Sequence, residues 1–466
     1  MPLIWIRRGI AGAALLLASN LLSLTAGAQD APNSNGIPDP SIATSLPQNG
    51  DPLGYRKALA ERGVTVGLNY VGQWQGNTSG GTRQGSIYIG RFEALVDVDL
   101  EKFINWKGLT LHANAFQIHG QGLSLRNLGN LHTASFIEAL PSTRLSELWL
   151  EQKLFADKAT VRVGQLAADT EFAISSYASQ FINSTFGYPT IVAVNQPSGG
   201  PAYPLATPGV RVKVDPDKNL SFLIGLYNGD PTGPGAGDPQ ARNSDGLSFR
   251  FSDSALIFGE AQYRYNQDKG VPGLAGSLKL GAWGHLGRFD DQRLDTIGRS
   301  LADPDSSGIA ARRRGNSGIY GVIDQQIWRP ASGEPDKGIG VFFRGSASPS
   351  DRNLVDLYFD GGIAFAGMIP NRPDDVLAFG GAYAKISGDA RRFDRDAARF
   401  NGGGLVRDFE AVFEVNYQAQ IIPGLQIDLD LQRIFHPGGN VANPNDPAGG
   451  PIRDATVLTL HTSIKY

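Results

Sequence analysis

Leu425-Gln426-Ile427-Asp428-Leu429-Asp430-Leu431-Gln432 alternates apolar and polar side chains without a break. Successive side chains of a strand point to opposite faces, so this segment has one greasy face and one of carboxylates and amides. The pattern recurs elsewhere. Phe92, Ala94, Val96, Val98 and Leu100 oppose Arg91, Glu93, Asp97 and Asp99. Phe409, Ala411, Phe413, Val415 and Tyr417 oppose Asp408, Glu410, Glu414 and Asn416, and Val210, Val212 and Val214 oppose Arg211, Lys213 and Asp215. A soluble sandwich and a membrane barrel both produce such alternation, so the connections must separate them.

Runs of this kind fill residues 64–466, and they number sixteen if 246–265 is kept whole across Ser252-Asp253-Ser254. Splitting that run gives an odd count, disfavoured in a bacterial single-chain barrel. The connections then sort by side. Long ones are expected at 76–86, 120–143, 167–207, 229–245, 287–317, 348–355, 387–404 and 436–454. Short ones fall at 102–108, 156–158, 216–218, 266–275, 329–338, 368–374 and 419–423. Long loops outside and tight turns inside the cell envelope are the layout of an outer-membrane β-barrel. The expected fold is therefore all-β: an antiparallel transmembrane barrel of about 16 strands. Trp74, Trp328, Tyr263, Tyr265, Phe435 and Phe359 sit where aromatic girdles belong, and the last strand closes on Tyr466.

The rest of the chain agrees. Arg7 and Arg8 precede an apolar stretch and an Ala26-Gly27-Ala28 cleavage pattern, so residues 1–28 read as an export signal. Residues 29–63 form a periplasmic segment. Its Pro-rich leader, Gln29 to Asn49, is expected to be unstructured, and a short helix from Leu53 to Arg62 would be capped by Asp51. No later stretch is long and apolar enough for a membrane helix. The 466 residues carry a net charge of −3, which argues against a nucleic-acid partner, and the absence of cysteine removes disulfides, thiolate metal sites and a cysteine nucleophile.

Several motifs resemble the carbohydrate-selective porins of Gram-negative outer membranes. They include Leu59-Ala60-Glu61-Arg62-Gly63-Val64, Leu148-Trp149-Leu150-Glu151-Gln152 and Arg162-Val163-Gly164-Gln165. Phe181-Ile182-Asn183-Ser184-Thr185-Phe186-Gly187, Gly200-Pro201-Ala202-Tyr203-Pro204 and Glu260-Ala261-Gln262-Tyr263-Arg264-Tyr265-Asn266 continue the series. Leu278-Lys279-Leu280-Gly281-Ala282-Trp283 and Asp356-Leu357-Tyr358-Phe359-Asp360-Gly361-Gly362 complete it. One departure is Asp51-Pro52-Leu53-Gly54-Tyr55, where relatives carry a Trp-Gly-Gly-type segment. The resemblance implies passive, sugar-preferring diffusion through a barrel narrowed by infolded loops.

A sugar is uncharged, with hydroxyls that donate and accept and with apolar C–H faces. Its path suits arginines with carboxylate partners beside an aromatic surface, binding weakly enough to let go. By alternation the pore-lining candidates are Arg91, Glu93, Glu147, Trp149, Glu151, Arg162, Arg211, Glu260, Arg264, Asp324, Arg344 and Asp360. Glu410, Glu414, Asp428 and Asp430 share the lumenal face. The bland alternative for each is hydration of a wide channel wall. The loop 167–207 is the expected constriction, through Phe172, Phe181, Asn183 and Phe186. Its plain alternative is an external cap.

No catalytic, cofactor or metal site is read. Asp303-Pro304-Asp305-Ser306-Ser307-Gly308 resembles the opening of a calcium loop, but the twelfth position is Arg314 instead of Glu. The six histidines lack metal-ligand spacing. Arg312-Arg313-Arg314 faces either lipopolysaccharide phosphates or solvent. A barrel enzyme needs a reactive Ser, His or Asp that breaks the pattern, and none stands out. An energised receptor needs a plug domain larger than residues 29–63. Within the channel class the alternative is a general porin without sugar preference. Expected partners are sugars in transit and outer-membrane lipid with lipopolysaccharide; monomer and homotrimer both fit.

Overall fold

The computed structural model describes residues 35–331, 334 and 337–466, so the export signal lies outside the described residues. Sixteen antiparallel strands close into one barrel, each hydrogen-bonded to its chain neighbours and β1 to β16. They are β1 (Val64–Gly81), β2 (Gly85–Asp99), β3 (Leu109–Gly120), β4 (Ser142–Leu154), β5 (Ala159–Leu166), β6 (Thr207–Val214), β7 (Leu220–Asn228) and β8 (Ala255–Tyr265). There follow β9 (Gly276–Asp295), β10 (Ala310–Trp328), β11 (Gly338–Ala347), β12 (Val355–Ala366), β13 (Val376–Ile386), β14 (Phe409–Ile422), β15 (Leu425–Phe435) and β16 (Arg453–Lys465). Closure is what allows the sheet to cross lipid, because an open edge would leave unpaired N–H and C=O groups in hydrocarbon at several kcal/mol each.

Alternation fixes which face is which. Leu429 is 59% exposed on the outside of β15, whereas Asp428 and Asp430 on its inner face are 3% and 4% exposed. Trp74, Tyr263, Trp328, Phe359 and Phe435 are likewise exposed on the outer surface. Replacing Leu429 by arginine is expected to cost about 2–4 kcal/mol if the residue lies near the bilayer midplane. Denaturant titration of the barrel in lipid vesicles measures it, and an unchanged midpoint would place Leu429 away from lipid.

Four expectations are corrected. First, residues 246–254 are not strand; β8 starts at Ala255. Asp253 there accepts from the Arg250 guanidinium at 2.9 Å, and its N–H donates to Asn228 at 3.0 Å. Local side-chain bonds of this kind compete with the ladder. Second, the connections expected at 76–86 and 287–317 are mostly strand, since β1 reaches Gly81, β2 begins at Gly85, and β9 and β10 run to Asp295 and from Ala310. Those extensions rise past the lipid, so both faces are polar and the period carries no signal. Third, the described part of the leader is ordered: Ile37 and Ala43 are fully buried. Short 3₁₀ turns cover Ile42–Ser45 and Pro47–Gly50, and Tyr466 Oη donates to the Gly50 carbonyl at 2.5 Å. Gly424, at φ +75°, turns so close to Ser41 and Ile42 that a Cβ would overlap their backbone. Fourth, the short helix runs Tyr55–Glu61 behind Gly54, although Asp51 still accepts from the Lys57 N–H at 3.1 Å.

Candidate functional site

The connection between β5 and β6, residues 167–206, folds into the barrel. Inward-facing acids and one arginine hold it by its backbone. Glu147 accepts from the Ala167 N–H at 3.0 Å, and Glu260 from the Ala173 N–H at 2.8 Å and the Tyr320 hydroxyl at 2.7 Å. Asp324 accepts from the Ser176 N–H at 3.2 Å. Glu414 accepts from the N–H groups of Ile182 at 2.5 Å and Asn183 at 3.1 Å. Arg344 donates to the carbonyls of Ala173 (3.0 Å), Thr185 (2.9 Å) and Phe186 (2.7 Å), and pairs with Asp360. Glu410 does the same for the neighbouring loop, accepting from Leu131 at 2.9 Å and His132 at 2.6 Å. Buried loop backbone must find partners, and here the wall supplies them.

Glu147, Glu260, Asp324, Arg344 and Asp360 thus lie inside the barrel but beneath the loop, each no more than 4% exposed. They are spent on anchoring and do not share a surface with the open lumen. The same holds for the loop residues expected to constrict. Phe172 stacks on Phe258 with centroids 5.1 Å apart, Phe181 on Phe186 at 4.4 Å, and Asn183 donates to Gln432 at 3.0 Å and the His132 carbonyl at 3.1 Å. Burial pushes His132 down to about 4, so it stays neutral in this packing at ordinary pH. It also pushes Asp169, whose carboxyl meets the Tyr203 N–H at 2.7 Å, up to about 6.

The wall from which the loop springs is different. Glu151, Arg162 and Arg211, on β4, β5 and β6, meet Glu171 from the loop in a closed four-membered ion cluster. Arg162 reaches Glu151 at 3.0 Å and Glu171 at 2.6 Å; Arg211 reaches Glu151 at 2.6 Å and Glu171 at 2.5 Å. The side chains of Glu151, Glu171 and Arg162 keep 19%, 14% and 11% of their surface open. The Arg162 guanidinium lies 3.8 Å over the Trp149 ring, and His112 stacks on that ring at 4.6 Å while contacting Asp97 at 2.7 Å. Beside them Arg91 approaches Glu93 at 3.5 Å and lies over Phe116 and Tyr203 at 4.7 and 5.2 Å. Glu93 also accepts from Asn114 at 2.8 Å. Arg264 stands apart, donating to Ser221 at 3.2 Å near the short-turn end of β8.

The alternation set Trp149, Glu151, Arg162 and Arg211 on one face, and adjacent strands hold them in register: Glu151 opposes Arg162, and Arg162 opposes Arg211. It missed Glu171. That residue sits in an irregular loop with no periodicity, so only the fold could deliver it. Each guanidinium has a carboxylate and each carboxylate a guanidinium, so the cluster is neutral overall. It offers donors and acceptors while favouring ions of neither sign.

A closed barrel with an apolar exterior, a charged interior and a loop folded across its lumen is an outer-membrane diffusion channel. Comparison with known proteins narrows the class. The model of the carbohydrate-selective porin, OprB family, matches residues 83–466. Porin B of Pseudomonas aeruginosa is 25% identical over 408 residues, covering 84% of this chain and 87% of that protein. The high-pH structure of Pseudomonas putida OprB superposes with a TM-score of 0.78 at 21% identity, covering 90% of this chain and 98% of that one. The low-pH structure of the same porin gives 0.54 at 16% identity over 90% and 97%. The chain belongs to the OprB family of carbohydrate-selective porins, and it is an outer-membrane carbohydrate channel.

Proposed function

We propose that small saccharides cross this channel along the wall formed by Trp149, Glu151, Arg162, Arg211 and Glu171. The observation that carries the reading is the neutral ion cluster, braced on an aromatic ring, whose Glu151, Glu171 and Arg162 side chains stay partly open while the anchoring residues are closed off. A pyranose can trade water hydrogen bonds for bonds to the open edges of Glu151, Glu171 and Arg162, while Trp149, sandwiched between Arg162 and His112, holds that guanidinium in place. The guanidiniums donate to its hydroxyls and the carboxylates accept from them, so the exchange is nearly even and release stays easy. Neutrality supports sugar over ion preference, which is where this reading parts from a general porin.

The test is Trp149→Ala in planar bilayers, with sugar titrated against a fixed salt current. Loss of the ring that holds the Arg162 guanidinium is expected to weaken saccharide block by about 1–2 kcal/mol, about five- to thirtyfold in the half-blocking concentration. Trp328→Ala, which removes an aromatic from the outer surface, should leave block unchanged. Equal block in wild type and Trp149→Ala would move the sugar path elsewhere.

A further inference from the structure

The Arg312-Arg313-Arg314 run meets three different fates at the long-loop end of β10. Arg313 turns inward to Asp291 at 2.6 Å and Asp351 at 3.4 Å. Arg312 is exposed and pairs with Asp290 at 2.7 Å. Arg314 faces outward and stands directly opposite Arg288 of β9 in the ladder. Both are exposed, and neither has a carboxylate partner among the described residues. Residues directly opposed on adjacent strands hold their Cβ atoms about 5 Å apart, and like charges there are destabilising. An anion between the two guanidiniums would turn that repulsion into attraction.

Position says which anion. Leu286, two residues before Arg288 on the same outward row, is 61% exposed, and Ile319 on the matching row of β10 is 64% exposed. The arginines therefore sit about 7 Å along the strand beyond the apolar belt, at the outer rim of the membrane. Below Leu286 the outward row of β9 is small, with Gly284, whose missing Cβ would meet nothing within 4 Å, and then Ala282. Charge above and an apolar strip of Leu286, Gly284 and Ala282 below, on the same strand, match one amphipathic occupant.

We propose that Arg288 and Arg314 bind the phosphate of an outer-leaflet phosphorylated glycolipid, the lipid A part of lipopolysaccharide, with an acyl chain laid along the outward row of β9 over Gly284 and Ala282. The test is native mass spectrometry of the full barrel in detergent, titrated with bisphosphorylated rough lipopolysaccharide. Parallel titrations use its enzymatically dephosphorylated form and phosphatidylglycerol. The double variant R288Q/R314Q should lose at least about tenfold in apparent affinity, from two charge-assisted contacts. R288K/R314K should retain most of it, and R392Q, an exposed arginine on the Gly388–Phe400 helix, all of it. The dephosphorylated form and phosphatidylglycerol should bind as weakly as the double variant binds the intact glycolipid. Heat-shifted gel mobility reports that each variant is a folded barrel. Undiminished binding by folded R288Q/R314Q, or equal binding of the dephosphorylated form or of phosphatidylglycerol, would overturn the proposal.

Discussion

Arg344→Leu is expected to release the infolded loop and to be the most damaging single substitution in the lumen. Arg344 is 1% exposed, pairs with Asp360, and satisfies the carbonyls of Ala173, Thr185 and Phe186. Removing it leaves the Asp360 carboxylate buried without its countercharge and three loop carbonyls without donors. Breaking a buried pair from one side typically costs about 3–5 kcal/mol. The barrel ladder itself makes no use of the side chain, so the loss should fall on the loop. The channel is therefore expected to remain inserted while its single-channel conductance rises and saccharide block disappears. Replacing both partners, as Arg344→Leu with Asp360→Leu, should recover part of the stability because no lone charge remains. Conductance and block measured on both variants check this; a single variant with wild-type conductance and block would mean that the loop is held by its aromatic packing alone.

Arg162→Gln carries the second large effect. It strips one cation from the four-membered cluster and leaves Glu151 and Glu171 sharing Arg211 alone. The lumen should become cation-selective, seen as a displaced reversal potential in a salt gradient. Saccharide affinity should fall by about 1.5–3 kcal/mol, the worth of a hydrogen bond to a charged group, or about ten- to a hundredfold. Adding Glu151→Gln restores neutrality and should return the reversal potential towards zero without restoring the sugar block. If the single variant shows no change in ion preference, the cluster does not face the conducting path.

These expectations depend on residues that the sequence sorted only halfway. Period-two alternation placed Arg162, Arg211, Arg344 and Asp360 on the inner face, because a strand embedded in lipid has no freedom to do otherwise. It could not tell wall from anchor. Arg344 and Arg162 have the same local pattern, yet one lies under the loop and the other beside it. That difference is set by where residues 167–206 land, and their contacts with Glu260, Asp324 and Glu414 span long sequence separations. The strand count was legible for the same reason as the inner face. The ends of β1, β2, β9 and β10 were not, since above the lipid both faces meet polar surroundings and the alternation vanishes. The Ile37–Gly50 stretch escaped as well: its turns are held by Gly424 and Tyr466, at the far end of the chain, and by little that its own composition announces.

The most direct test of the sugar path is the current through single channels in a planar bilayer as glucose or a short maltooligosaccharide is added at constant salt. A saturable fall in conductance, weakened in Trp149→Ala and Arg162→Gln, is the result expected of a charge-neutral route along the cluster. A conductance that no sugar reduces at any concentration beyond the effect of solution viscosity would contradict it.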